Sequence, residues 1–132
     1  GRVTTMADLD VSIVSVDGAV WSGTATSVTS TTVEGEMGIL YGRQPILAQM
    51  ADDGVVTVHS TDGEFLVFAV SGGLLSCTGT HVVVMAENAT PASAISIEDA
   101  EKKLAVLPEE SSEGERAQLK AQIRAAKRLA SA

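Results

Sequence analysis

The sequence predicts an α+β protein, in which an N-terminal antiparallel β-sandwich is followed by a C-terminal antiparallel two-helix hairpin. Short apolar segments separated by turn dipeptides fill the first 90 residues, with no helical pattern between them. At Pro91 the apolar spacing changes to steps of three and four residues. The charge changes there too, because residues 1–90 hold ten acidic and two basic residues whereas residues 91–132 hold seven of each. We therefore expect two domains, 6–90 and 91–132.

The first strands are indicated by alternation and by turn chemistry. Leu9 to Val16 alternates in polarity but slips in phase near Ile13, which predicts a strand with a β-bulge. The dipeptide Asp17-Gly18 is typical of a hairpin turn. The segment 19–33 is rich in threonine and serine and poor in helix formers, which predicts a long, half-exposed strand.

The stretch Gly35 to Leu47 breaks this regular pattern. Three glycines and a proline lie among bulky apolar residues, and neither strand nor helix periodicity is evident. We interpret it as a shaped loop on which some of four apolar residues point outward: Met37, Ile39, Leu40 and Tyr41. Such a loop is either a partner surface or a long connection folded back on its own core.

Later strands are predicted at 46–50, 55–59 and 64–70, with turns at Asp52-Asp53-Gly54 and Asp62-Gly63. Gly72-Gly73 then suggests a tight reversal. The segments 74–78 and 81–86 are expected to pair with each other across Gly79-Thr80.

Capping boxes mark both predicted helices. Ser96 precedes Asp99, and Ser112 precedes Glu115, at the spacing where a side-chain oxygen accepts from a backbone N–H. Pro108 should end the first helix. The second should run to about Ala130 with one thin apolar stripe, so the hairpin should be marginal by itself. That stripe comprises Leu119, Ile123, Ala126 and Ala130.

A basic row follows one face of the second helix, formed by Arg116, Lys120, Arg124 and Arg128, with Lys127 beside it. The row is either a solvated face, a surface for acidic residues of a larger partner, or a grip for a nucleotide phosphate.

Composition limits the possible functions. The formal net charge of -8 argues against nucleic-acid binding. The longest apolar run, residues 65–70, is far below the ~20 residues of a spanning helix, and no apolar leader opens the chain. Met6 is the expected native start, and a soluble, cytosolic protein is expected.

Catalytic and metal-binding motifs are lacking. The single cysteine, Cys77, excludes an internal disulfide and is expected to be a buried structural thiol. His59 and His81 lack ligand-spaced companions and are expected to be ordinary strand residues rather than metal ligands. The polypeptide alone should be inactive, with no metal and no cofactor.

Three ordered motifs together carry a family resemblance. Gly35-Glu36-Met37-Gly38-Ile39-Leu40 with Gly42 and Pro45 resembles the signature loop of the epsilon subunit of bacterial F-type ATP synthases. Trp21-Ser22-Gly23 upstream and Ser71-Gly72-Gly73 downstream resemble flanking segments of that family. Tyr41 stands where the family usually has proline and Arg43 where it has histidine, which predicts a less rigid loop with altered contacts.

The resemblance implies a division of labour. The sandwich would be a stiff foot of the central stalk that packs on the gamma subunit and passes torque through its c-ring contact. The contact residues implied are Glu34, Gly35, Glu36, Met37, Gly38, Ile39, Leu40, Tyr41, Gly42 and Arg43. The basic row would meet the alpha and beta subunits when the hairpin extends and blocks hydrolysis. The location implied is peripheral, on the cytoplasmic side of the bacterial plasma membrane.

Some relatives bind ATP on the folded hairpin. Here Glu98 and two arginines, Arg124 and Arg128, fall at matching positions, but Glu101 replaces an arginine and would repel phosphate. We therefore expect weak regulatory ATP binding or none. Two other functions stay open, a free-standing nucleotide-sensing module and a β-sandwich adaptor that docks through the loop.

Overall fold

The computed structural model describes residues 8–42 and 45–132. A β-sandwich precedes two helices, which confirms the predicted fold class. The elements are β1 Leu9–Ser15, β2 Gly18–Thr32, β3 Gly35–Leu40, β4 Ile46–Gln49, β5 Gly54–Ser60, β6 Phe65–Thr78, β7 His81–Pro91, a 3₁₀ turn Ala92–Ala94, α1 Ile97–Ala105 and α2 Glu113–Ala130.

Long strands shared between the two layers hold the sandwich together. The first half of β6 pairs with β5 and its second half with β4, while β7 runs alongside both halves. β2 likewise pairs first with β1 and then with β5 and β3. β1 also pairs in parallel with β7, so β1, β7, β6, β5 and β2 close into a flattened barrel. Most pairs are antiparallel, as expected.

An aliphatic core fills the space between the layers. The largest fully buried side chains are mainly valine, leucine and isoleucine, in a sequence that is 45% hydrophobic but only 3% aromatic. The register of β1 against β2 shifts between Ile13 and Val14, which confirms the predicted bulge. Cys77 is fully buried in this core.

The predicted reversal at Gly72-Gly73 is wrong. β6 continues through both glycines, and its register with β7 is the same before and after them. Both have positive φ, 70° and 107°, so the strand bends there while passing from one layer to the other. Two glycines permit a bend as readily as a turn, and local sequence does not distinguish the two outcomes.

Helix α2 covers the outer face of β5 and β6. Ala121 and Ala125 pack there in a second buried cluster, with Val55, Val67, Ala69 and Ala92. β5 is therefore buried on both faces, which explains its unbroken run of buried residues from Gly54 to Val58.

Both helices begin at their predicted caps. Ser96 Oγ accepts from Asp99 N, and Ser112 Oγ accepts from Glu115 N, each at 3.2 Å. The predicted apolar stripe of α2 is only partly right. Ala126 is buried, but Ala130 is exposed and the sheet-facing positions are alanines four residues apart. Leu119 and Ile123 are half-buried and line grooves beside α1.

Candidate functional site

The segment Gly35 to Leu40 is a strand rather than the irregular loop that we predicted. Each of its six residues pairs with β2, from Gly35 with Thr32 to Leu40 with Ser27. Ile39 is fully buried and Met37 half-buried, whereas Glu36, Gly38 and Leu40 are exposed. Alternation therefore holds in this segment, with glycine at an outward-facing position.

Most of the predicted contact residues consequently lie in two groups at the ends of β3, with half-buried Met37, exposed Gly38 and fully buried Ile39 between them. Glu34, Gly35 and Glu36 lie at the β2–β3 turn, where Thr32 Oγ1 accepts from Glu34 N and donates to Gly35 O. Leu40, Tyr41 and Gly42 lie at the other end, about 17 Å away by strand rise. Leu40 is 64% and Tyr41 45% exposed. Arg43 lies outside the described residues.

Two arginines of the basic row bind carboxylates of the sandwich. Arg124 Nη1 lies 2.9 Å from Asp53 Oδ2 and donates to the Asp53 carbonyl oxygen at 3.0 Å. Arg128 Nη2 lies 3.4 Å from Glu36 Oε2. The row therefore meets acidic residues of its own chain, whereas the predicted alternative placed them on a larger partner.

The remaining basic residues contact the α1–α2 connection, helix α1 or the groove between the helices. Arg116 donates to the carbonyl oxygen of Pro108 in the α1–α2 connection. Lys127 forms an ion pair at 3.6 Å with Glu101 of α1. Lys120 is exposed beside the groove between the helices and has no ion pair within the described residues.

The structure does not join the three predicted nucleotide residues into one site. Glu98 is exposed near the start of α1, and no hydrogen bond or ion pair within residues 8–42 and 45–132 links it to either arginine. Arg124 and Arg128 are already paired with Asp53 and Glu36. A phosphate bound there would have to replace both carboxylates.

A second surface lies on the outer face of the other layer, opposite α2. Leu74 pairs with Met85 in adjacent strands, so these side chains share a face, and Leu47 of β4 lies on the same face. Leu47 is 72% exposed, and Leu74 and Met85 are each 43% exposed. No described element of the chain covers these three residues, which we call the apolar face.

The two histidines and Asp62 contact neighbouring residues of the sandwich. The ring of His59 packs on Phe65, and His81 Nε2 lies 3.6 Å from Asp10 Oδ2. In an exposed turn, the hydrogen bond from the Ser60 side chain is the main reason that the pKa of Asp62 is lowered, and the hydrogen bond from the backbone N–H of Glu64 lowers it further.

Within the described residues, no group of acidic, histidine or cysteine side chains could hold a metal ion. No helix in that part of the chain is long and apolar enough to cross a membrane.

The sequence pattern does not predict the roles of two residues, Asp53 and Trp21. The pattern predicts only a turn at Asp53, although the adjacent acids Asp52 and Asp53 are a signal for a basic partner, which is Arg124. Trp21, the one tryptophan in the sequence, lines a cavity with Phe68, Pro91 and Leu129 of α2. Its indole therefore lies at the junction between the hairpin and the sandwich.

Comparison with known proteins matches this architecture to one family. Residues 8–92 match the family described as "ATP synthase, Delta/Epsilon chain, beta-sandwich domain". The ATP synthase epsilon chain of Corynebacterium jeikeium is 41% identical over 94% of this chain and 98% of the relative. That of Corynebacterium diphtheriae is 46% identical over 88% and 94%, respectively. That of Rhodococcus erythropolis is 44% identical over 93% and 99%.

Solved structures agree on the fold. A chain of the Euglena gracilis mitochondrial ATP synthase superposes with a TM-score of 0.69 and 23% identity, covering 92% of this chain and 81% of that chain. A chain from the central stalk and c-ring of the Tetrahymena thermophila mitochondrial ATP synthase gives 0.60 at 12% identity, covering 92% and 95%. At these identities the likeness concerns the fold alone.

Proposed function

Because the chain belongs to the family of ATP synthase epsilon chains, we propose that it is the stiff foot of the central stalk that couples proton-driven rotation to ATP synthesis. Family membership makes it a non-catalytic subunit of a membrane-associated complex. The proposed location is the cytoplasmic side of the bacterial plasma membrane. A close-packed sandwich suits this task because a stiff body transmits force with little deformation.

The apolar face is the proposed contact with the gamma subunit, and it is the observation that carries this proposal. Leu47, Leu74 and Met85 form a contiguous exposed apolar surface on three adjacent strands. Such surfaces on soluble proteins mark sites of association. The opposite layer is covered by α2, so this face is the broad sheet surface left for a partner.

The two ends of β3 are the proposed contacts with the c-ring. Glu34 and Glu36 offer carboxylates at one end, and Leu40 and Tyr41 offer exposed apolar area at the other. A ring touching both ends would bear on β3 over its length of about 17 Å. Two separated contacts resist rotation of one body on the other better than a single tip.

The helices are the proposed regulatory domain, 91–132, joined to the stalk domain, 6–90. In the described conformation α2 packs on the sandwich through small side chains and two exposed ion pairs. Such an interface is weak enough to open, and an extended hairpin could bring its basic row to the alpha and beta subunits.

Leu74→Glu together with Met85→Glu tests the gamma contact. Both side chains are partly exposed in the free chain, so the variant should fold. Burying two unpaired carboxylates at an interface should lower the share of the chain that co-purifies with membrane-bound ATP synthase by about tenfold or more. Val106→Glu is the matched control, because Val106 is exposed but lies on the hairpin. Full incorporation of the double variant would rule out this face as the gamma contact.

A further inference from the structure

Strand β3, the proposed ring contact, also binds the hairpin. Glu36 accepts from Arg128 in the last turn of α2. Asp53, bound by Arg124 one helical turn earlier, lies in the turn before β5. The two segments that carry these carboxylates meet at one residue of β2, because Glu36 pairs with Thr31 while the Thr31 hydroxyl bonds to the backbone of Val55, two residues after Asp53.

These two ion pairs form a latch on an otherwise thin interface. The apolar contact of α2 with the sheet consists of alanines and Leu129 against valines, an alanine and Phe65. The arginine side chains are 56% and 44% exposed, so each pair is screened by salt. A weak interface held partly by exposed charges should open more readily as ionic strength rises.

We propose that the hairpin and the ring compete for the Glu36 carboxylate, an inference that rests on the proposed ring contact. With the hairpin docked, Glu36 is paired with Arg128 and is less available to an outside hydrogen-bond donor. When the ring engages Glu36, the C-terminal end of α2 loses one of its two ionic attachments. By linkage, each event weakens the other to the same extent.

The competition involves only one end of β3. Leu40 and Tyr41 lie at the opposite end, and no hydrogen bond or ion pair within the described residues ties them to the hairpin. A ring contact there can persist in either state of the hairpin. The stalk would thus stay seated while hairpin release is coupled to the Glu36 contact alone.

The latch is tested first on the intact free chain. Trp21 lines a cavity with Leu129, so its emission reports hairpin docking, and amide hydrogen exchange in α2 reports it independently. Glu36→Gln and Asp53→Asn should each raise the open population by about two- to fivefold. Charge exchange in Glu36→Arg with Arg128→Glu should restore docking relative to Glu36→Arg alone.

Two controls separate the latch from general charge effects. Glu34→Gln removes a neighbouring carboxylate with no bond to the hairpin, and Lys120→Gln removes a cation from the same row. Neither should change the opening of α2, and added salt should open the wild type more than a Glu36→Gln, Asp53→Asn double variant. Equal opening in controls and latch variants, or no rescue by charge exchange, overturns the latch.

Competition is tested in the assembled ATP synthase with Glu34→Cys and cysteines in the polar turns of the ring. Adding Arg128→Gln should raise the yield of the bridge by about two- to fivefold over an Arg116→Gln control. A yield independent of Arg128 overturns the competition while leaving the ring contact standing. No bridge in any background removes the ring contact, and the competition with it.

Discussion

At the scale of single residues, Gly73 is the position where backbone geometry leaves least freedom. Its φ of 107° lies in the region that side chains disfavour. A Cβ there would overlap the carbonyl oxygen of Met85 and lie 2.8 Å from Cα of Ala86. Both are backbone atoms of β7, so neither can move aside without breaking the pairing that joins the two layers.

Gly73→Ala should therefore lower the free energy of unfolding by about 3 kcal/mol or more, because backbone strain adds to a steric clash. Gly79→Ala is the matched control. Gly79 also has positive φ, 62°, but nothing lies within 4 Å of a Cβ built there. The control should lose only about 1–2 kcal/mol of conformational strain. Urea unfolding of both variants measures the difference, and equal losses would show that the approach of β7 is unimportant.

At the scale of elements, the predictions succeeded where local chemistry decides the structure. Ser96 and Ser112 cap their helices because a cap is a contact across three residues. The sequence does not predict β3 because its glycines are typical of loops, although Gly38 faces outward on a strand whose inward residues, Met37 and Ile39, still alternate. The partners of each half of β6 depend on contacts distant in sequence, which local patterns do not reveal.

The predicted sheet-facing side of α2 is only partly right, because the helix pattern alone does not show which side chains meet a sheet that is distant in sequence. Large apolar residues were expected to face the core, but a helix lying on a flat sheet approaches closely through small ones, Ala121 and Ala125. Leu119 and Ile123 instead face the grooves beside α1. Likewise, the basic row was recognised, whereas its partners, Asp53 and Glu36, lie 71 and 92 residues away in the chain.

The hairpin as an element should bind ATP only weakly, with a dissociation constant above about 1 mM. Phosphate would have to displace Asp53 and Glu36 from the two arginines, and Glu101 adds a negative charge in the groove that Arg124 lines. Titration of ATP into the free chain, followed calorimetrically, measures this. The Glu36→Gln, Asp53→Asn double variant is the comparison and should bind more tightly than the wild type. A submillimolar constant for the wild type contradicts the prediction.

At the scale of the whole molecule, the sandwich has two broad outer faces, and different elements are assigned to cover them. One is covered by the hairpin of the same chain, and the other carries the apolar face proposed for gamma. Simple deletion of residues 91–132 would remove the end of β7 and Ala92, and it would expose Val55, Val67 and Ala69. A truncation that begins at Ile97 preserves β7 and the 3₁₀ turn, although it still uncovers those three residues.

Truncation at Ile97 should leave assembly intact and raise ATP hydrolysis by the complex about two- to tenfold, the range for an inhibited state that is favoured by zero to about 1.4 kcal/mol. Because truncation also exposes apolar surface, a tethered hairpin is the matched control. Cysteines at Asp53 and Arg124, joined by a short thiol cross-linker, should hold α2 docked without altering the proposed ring contact at Glu36, and Cys77 is buried away from the reagent. If extension causes inhibition, tethering and truncation should activate hydrolysis alike, since neither chain can extend the hairpin. Activation by truncation alone would instead trace the effect to damage of the sandwich, and unchanged hydrolysis in both would remove the inhibitory role.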